Sequence, residues 1–170
     1  MCRARRGIAM TPWPVPSRVM LCALAAIVAV VVSADMNALV VSGPIDIAVP
    51  SHYSGPLIVE NLRIRPTGPG QVALRLSWPP APSIADMTVL VRNVTIESGF
   101  DQGIELINAW NARVEAVTIY GAYDGAMENG IILRGQSHDV RIAGTSVAHA
   151  ITGILILDDA EGTLLHHVTL

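Results

Sequence analysis

Lysine is absent from the 170 residues, so every basic side chain is an arginine, a composition bias to which no function attaches. Cysteine is almost absent too. Cys2 and Cys22 both fall within the first 34 residues, and the rest of the chain has none. That excludes a disulfide framework, a thiolate nucleophile and a cysteine-based zinc site beyond residue 34. Aromatic residues make up 4% of a chain that is 51% hydrophobic, so the apolar mass is aliphatic: Val, Ile, Leu and Ala. β-branched side chains suit pleated, half-buried strands, and no amphipathic helix of useful length follows the leader. Beyond residue 34, seven arginines face fourteen acidic residues, leaving a charge of −7 with histidine neutral. An acidic domain without a basic stripe argues against nucleic acid as a partner. His138, His149, His166 and His167 lack metal-ligand spacing, which argues against zinc.

Residues 1–34 read as a secretory signal peptide. Arg3, Arg5, Arg6 and Arg18 form a positive leading region, Val19 to Val32 is an uncharged apolar run of 14 residues, and Val32-Ser33-Ala34 offers a cleavage site. The run is short of the roughly 20 residues that a membrane-spanning helix needs. Met10 is an equally good start, and an uncleaved anchor is the competing reading. The expected locations are secreted, periplasmic or cell-surface, with no membrane attachment after cleavage. The remaining 136 residues suffice for one domain.

What the chain does contain is a six-residue phrase that returns five times. It reads Val59-Glu60-Asn61-Leu62-Arg63-Ile64, then Val91 to Ile96, Val114 to Ile119, Ile142 to Val147 and Leu165 to Leu170, at spacings of 32, 23, 28 and 23 residues. Self-similarity on this scale marks a solenoid whose repeats cover one another. The first, fourth and sixth positions are almost always aliphatic, Thr145 being the exception. Positions one and four are three apart, which a single strand of period two cannot point inward together. A tight turn is therefore expected at position three, where Asn61, Asn93, Ala116, Gly144 and His167 stand. Asn and Gly tolerate the left-handed backbone that such a turn needs. Position five, with Arg63, Thr95, Thr118, Ser146 and Thr169, should point outward, and Glu60, Arg92 and Glu115 at position two should form a column of alternating charge.

A second strand recurs between the phrases as Gly103-Ile104-Glu105-Leu106, Gly130-Ile131-Ile132-Leu133 and Gly153-Ile154-Leu155-Ile156, with Val72 to Leu76 as an earlier version. The glycine reads as a hinge. The sequence predicts an all-β fold: a single right-handed parallel β-helix of about five coils, each with three short strands, one tight turn and two variable loops, and a core without aromatics. Residues 35–56 are expected to form an entry or capping segment and residues 57–170 the helix. Trp78-Pro79-Pro80-Ala81-Pro82 is expected to be a stiff loop leaving its body. Leu170 is the last inward residue of a repeat, so the C-terminal end is expected to be uncapped, either in the front fragment of a longer protein or under a partner chain. The outward residues Arg75, Glu105, Ile132 and Leu155 end in an apolar pair, which predicts that a loop, a further segment or a neighbouring subunit covers Ile132, Leu155 and the Leu170 end.

The phrases Asn93-Val94-Thr95-Ile96 and Gly103-Ile104-Glu105-Leu106 resemble the repeat of the right-handed parallel β-helix proteins of the pectate-lyase-like superfamily, over residues 57 to 170. That superfamily includes polysaccharide lyases, glycoside hydrolases, uronate epimerases, phage tailspikes and non-catalytic adhesins, so the resemblance implies an architecture more than an activity. It directs attention to the loops flanking the second strand. Counted from the preceding Ile, Asp101 and Asp124 occupy the same place, as do Phe100 and Tyr123. Two carboxylates are thus expected to stack one rung apart beside aromatics that could face sugar rings. Such a pair can share a proton, bind Ca²⁺ or divide acid and base roles; each Asp also fits ordinary turn chemistry. Glu128 lies in the same loop as Asp124. Asp158 and Asp159 follow the strand ending at Ile156, with Glu161 close behind, where hydrolases of the polygalacturonase type carry an Asp pair. The companion Gly-His-Gly and Arg-Ile-Lys motifs of that family are not in this chain, and solvated loop acids are the competing reading. Arg134, just after Leu133, is the cation best placed to hold a uronate carboxylate, although arginine is a poor base. Arg113 and Arg141 should stack on a more distant face.

The expectation is an exported protein that binds or processes polysaccharide, most plausibly an acidic glycan. Asp101, Asp124, Glu128, Arg134, Asp158 and Asp159 are its candidate catalytic residues, and Asp101 with Asp124 its candidate Ca²⁺ ligands. The alternative is a non-catalytic β-helix scaffold or adhesin-like surface protein.

Overall fold

The computed structural model describes residues 38–50, 56–79, 88–157 and 164–166. Residues 1–34, expected to be a signal peptide, residues 80–82 of the expected stiff loop, the acids Asp158, Asp159 and Glu161, and residues 167–170 of the last repeat lie outside the described residues. No helix long and apolar enough to cross a membrane occurs among the described residues.

Among the described residues every regular element is a strand and every strand pair is parallel. Two sheets form, and successive segments are dealt alternately to them. The first contains, in order, β1 (Leu39–Ser42), β3 (Leu57–Arg65), β5 (Val89–Ile96), β7 (Ala112–Glu115), β10 (Arg141–Ala143) and β13 (Leu164–His166). Beside this path β8 (Thr118–Tyr120) pairs with β5, and β11 (Ser146–Ala148) pairs with β8. The second sheet contains β2 (Ile45–Ala48), β4 (Val72–Ser77), β6 (Gln102–Ile107), β9 (Met127–Arg134) and β12 (Ala150–Ile156).

The repeated phrase is the register of the first sheet. Val59 pairs with Val91, Val91 with Val114, Val114 with Ile142, and Ile142 with Leu165. At the sixth position Ile64, Ile96, Ile119 and Val147 pair in succession. Position three is the bend between these two runs. Asn61, Asn93, Ala116 and Gly144 all have left-handed backbones, with φ of 57°, 52°, 52° and 57°. The bend turns positions one and four to the same side, and the Val, Leu and Ile side chains there are buried together. Each stabilises by about 1.5–3 kcal/mol when fully buried. Arg63, Thr95, Thr118 and Ser146 form the outward column at position five.

The second sheet is equally regular. Ile45, Leu74, Ile104, Ile131 and Ile154 pair in one inward column, and Ile47, Leu76, Leu106, Leu133 and Ile156 in the next. The pairing of β1 with β3 and of β2 with β4 sets residues 39–48 against the repeats.

Three expectations need correction. Gly103 and Gly130 are not hinges with unusual dihedrals; their backbones are not left-handed. A Cβ on Gly103 would stand 2.3 Å from the Gly130 carbonyl oxygen, and one on Gly130 would stand 2.4 Å from Val147 Cγ1. Glycine is required there because adjacent rungs approach too closely for a side chain. The core is also not free of aromatics, since Trp78 and Phe100 both belong to it. Trp78 does not leave the body: its side chain is buried and its backbone N–H donates to the Ile107 carbonyl at 3.0 Å. Beyond the bend foreseen at position three, Asn108 (φ 54°) and Asn111 (φ 50°) mark further corners after β6, matched on the next rung by Gly135 (φ 65°) and Asp139 (φ 53°).

Candidate functional site

The loops that enter the second sheet differ in length, and that difference decides which acids meet. Six residues separate Ile96 from Gly103, whereas ten separate Ile119 from Gly130. Strand register, not distance from the preceding Ile, sets the alignment at the start of the second sheet. Gln102 pairs with Asn129, and the N–H of Glu128 donates to the Asp101 carbonyl at 2.7 Å. Glu128 is therefore the register neighbour of Asp101. Asp124 is not: it stands within the four-residue excess of the longer loop. Its carboxylate accepts from the Ala126 N–H two residues on, at 3.1 Å, which is the turn chemistry that competes with a site role. The equivalence of Phe100 and Tyr123 fails for the same reason. Phe100 is 1% exposed and packed in the core, whereas Tyr123 is 92% exposed.

One position on this flank can now be followed across four rungs. Gln71 accepts at its carbonyl from the Asp101 N–H at 3.0 Å. Asp101 is followed by Glu128, and Ile151 falls between the register pairs Ala150–Met127 and Thr152–Asn129. Adjacent parallel strands lie about 4.8 Å apart, so the Asp101 and Glu128 backbones are separated by one such step. The Gly70 N–H donates to Asp101 Oδ1 at 3.2 Å, which fixes the carboxylate. Glu128 is exposed. Ile151 in this row is exposed, the loop leading to Glu128 carries the exposed side chains of Tyr120 and Tyr123, and the ring of Tyr123 lies 4.0 Å from that of His149. Among the described residues no group of three or more His, Cys, Asp or Glu side chains is arranged to hold a metal ion.

Arg134 is engaged elsewhere. Its Nε lies 3.0 Å from Glu105 Oε1, while Arg75 Nε donates to Glu105 Oε2 at 2.6 Å and Arg75 also lies 3.5 Å from Asp46. Glu105, with its side chain 5% exposed, is thus clamped between two half-exposed guanidinium groups. The hydrogen bond to Glu105 is the main cause that raises the Arg75 pKa above its already high ordinary value. The negative charges of Glu105 and Asp46 reinforce it, and burial opposes it. The outward column of the second sheet runs Asp46, Arg75, Glu105, Ile132, Leu155, as the repeat implies. Ile132 is fully buried, in register with the buried Glu105, and Leu155 is half-buried.

His138 was not singled out from the sequence. Its ring lies 4.5 Å from that of Trp110, and the two residues are bridged in parallel at the corner marked by Asn111 and Asp139. The Asn-Ala-Trp-Asn run before β7 carries the signal, because two asparagines spaced by three bracket a double bend. Glu128 could have been set beside Asp101 by counting back from the glycines, two residues in each case. The chain matches no protein family model, no curated protein and no solved structure.

Proposed function

We propose that the chain is a right-handed parallel β-helix similar to the pectate-lyase-like superfamily, exported through its N-terminal segment, and that it binds or processes polysaccharide on the flank of the second sheet. The parallel register of the phrases supports the fold reading. One observation carries the functional one: Asp101 and Glu128 stand one rung apart on a solvent-facing loop flank, and the loop leading to Glu128 carries the exposed Tyr120 and Tyr123. Carboxylates accept hydrogen bonds from sugar hydroxyls, and an aromatic face covers the apolar face of a sugar ring. Two adjacent carboxylates are also the minimal equipment for dividing acid and base roles, or for a shared cation. Asp124 contributes its loop, not a paired carboxylate.

The non-catalytic reading, a scaffold or adhesin-like surface protein, is favoured by one further observation. Arg134, the cation expected to orient a uronate, is spent on Glu105. Binding without turnover is therefore the form of the proposal with fewer demands. Incubation with pectin, alginate and bacterial exopolysaccharides across a Ca²⁺ series, scored for both retention and depolymerisation, tests it. Retention that falls at least tenfold in an Asp101→Asn, Glu128→Gln double variant, but not in Asp124→Asn, is the expected result. Failure of the unmodified protein to retain or cleave any of these polymers overturns the reading.

A further inference from the structure

Seven arginines follow residue 34, all of them among the described residues, and five are ion-paired: Arg63 and Arg65 with Glu97, Arg75 with Glu105 and Asp46, Arg92 with Glu60, and Arg134 with Glu105. The two without an ion pair, Arg113 and Arg141, are register partners on adjacent strands β7 and β10. Both are exposed. Like charges directly opposite one another in a sheet repel, and an acidic protein has ample carboxylates with which to neutralise them. Glu115, two residues along β7 on the same face, is in register with Arg92, and Asp139 sits at the corner before Arg141. Neither is ion-paired to the exposed arginines. The rung neighbours on either side are Leu90 and Leu164. Among the described residues, the outer face of the first sheet therefore holds two guanidinium groups without an ion pair about one strand spacing apart, whereas the other five described arginines are all matched.

We infer that Arg113 and Arg141 form an anion-binding clamp for the carboxylates of an acidic polysaccharide, distinct from the Asp101–Glu128 flank. Guanidinium groups take carboxylates in bidentate geometry. A polymer carrying a carboxylate on each sugar supplies repeated anions that two stacked arginines can hold at once, while a neutral glycan offers them nothing. The acidic charge of the rest of the chain confines attraction to this column and works against a nucleic-acid backbone, which needs a broad basic surface. The ligand class rests on the polysaccharide reading above; the clamp itself rests on the pairing pattern.

Affinity electrophoresis of the full chain in EDTA, through gels containing polygalacturonate or a neutral β-glucan, tests the clamp. Arg113→Gln and Arg141→Gln are each expected to weaken polygalacturonate retention at least fivefold and to leave β-glucan retention unchanged. Arg65→Gln, which removes an equal charge from an ion pair, should leave both retentions within twofold. Folding is checked by melting: without polymer the two clamp variants should melt at the same temperature as the parent or higher, since repulsion is relieved, and polygalacturonate should raise the melting temperature of the parent only. Unchanged polygalacturonate retention in both clamp variants, or equal loss in Arg65→Gln, overturns the clamp and leaves the polysaccharide reading standing. If the parent retains no polygalacturonate in EDTA the clamp falls, and the polysaccharide reading falls with it only if the Ca²⁺ series above also shows neither retention nor cleavage.

Discussion

Ala116 is the residue at which the fold and the local chemistry disagree, and replacing it should stabilise the protein. It occupies the third position of the repeat with φ 52°, in line with Asn61, Asn93 and Gly144. A left-handed backbone costs an L-residue with a Cβ about 1–2 kcal/mol, and Asn is among the few that visit it routinely. Asn93 Nδ2 already donates to Asn61 Oδ1 at 3.3 Å, so the amides at this position form the start of a ladder. Ala116 follows Asn93 in register, because Arg92 pairs with Glu115, and its side chain is exposed with room to grow. Ala116→Asn should recover about half of the left-handed cost and add an exposed amide hydrogen bond at the low end of the usual ~0.5–1.5 kcal/mol. The sum is about +1 kcal/mol, which for a chain of this size raises Tm by about 2–4 °C. Ala116→Gly relieves the same backbone cost but gives back about 0.4–1 kcal/mol through a freer unfolded chain, so it should stabilise less. Ala116→Val should lower Tm, since a β-branched residue tolerates this conformation worst. Thermal and urea melts of the three variants check the order Asn above Gly above Ala above Val. An Asn variant no more stable than the parent refutes the claim that the left-handed backbone at position three is strained in Ala116.

The clash geometry at the stacked glycines predicts that Gly130→Ala loses about 2–3 kcal/mol in urea melts, because both the Val147 side chain and the Gly153 carbonyl must give way. Gly68→Ala, with open space around it, should stay within about 0.5 kcal/mol. Phe100→Ala should cost about 3–5 kcal/mol by opening a core cavity, whereas Tyr123→Ala should leave Tm unchanged and reduce glycan retention. Glu105→Ala should cost about 1–2 kcal/mol, discounted for the solvent exposure of Arg75 and Arg134, against less than about 0.5 kcal/mol for Glu97→Ala at an exposed bridge, as measured by chemical denaturation.

The part of the fold legible in the sequence is the part governed by strand register. An inward aliphatic at position one is repeated because a different residue there would bury a polar group between rungs, so Val59, Val91, Val114, Ile142 and Leu165 announce their own pairing. The outward residues Arg75, Glu105, Ile132 and Leu155 were readable for the same reason, since period two leaves no other face for them. What was not legible is what the loops do, because nothing periodic constrains their length. Asp101 and Asp124 look equivalent when counted from one end of a loop and unrelated when counted from the other. The strand that follows imposes register, whereas the one before it has already released the chain, so only the second count carries physical meaning. The same freedom lets Phe100 fold inward while Tyr123 stays in solvent. Charge pairing was legible only in part. Glu60 and Arg92 are direct register partners and could be matched in advance. Arg134 reaches Glu105 diagonally, two positions along the next strand, and a reading that compares only like positions overlooks it. That diagonal contact reassigns the cation of the candidate site to the structure of the sheet. It also leaves Arg113 and Arg141 as the arginines whose charge the described fold does not use.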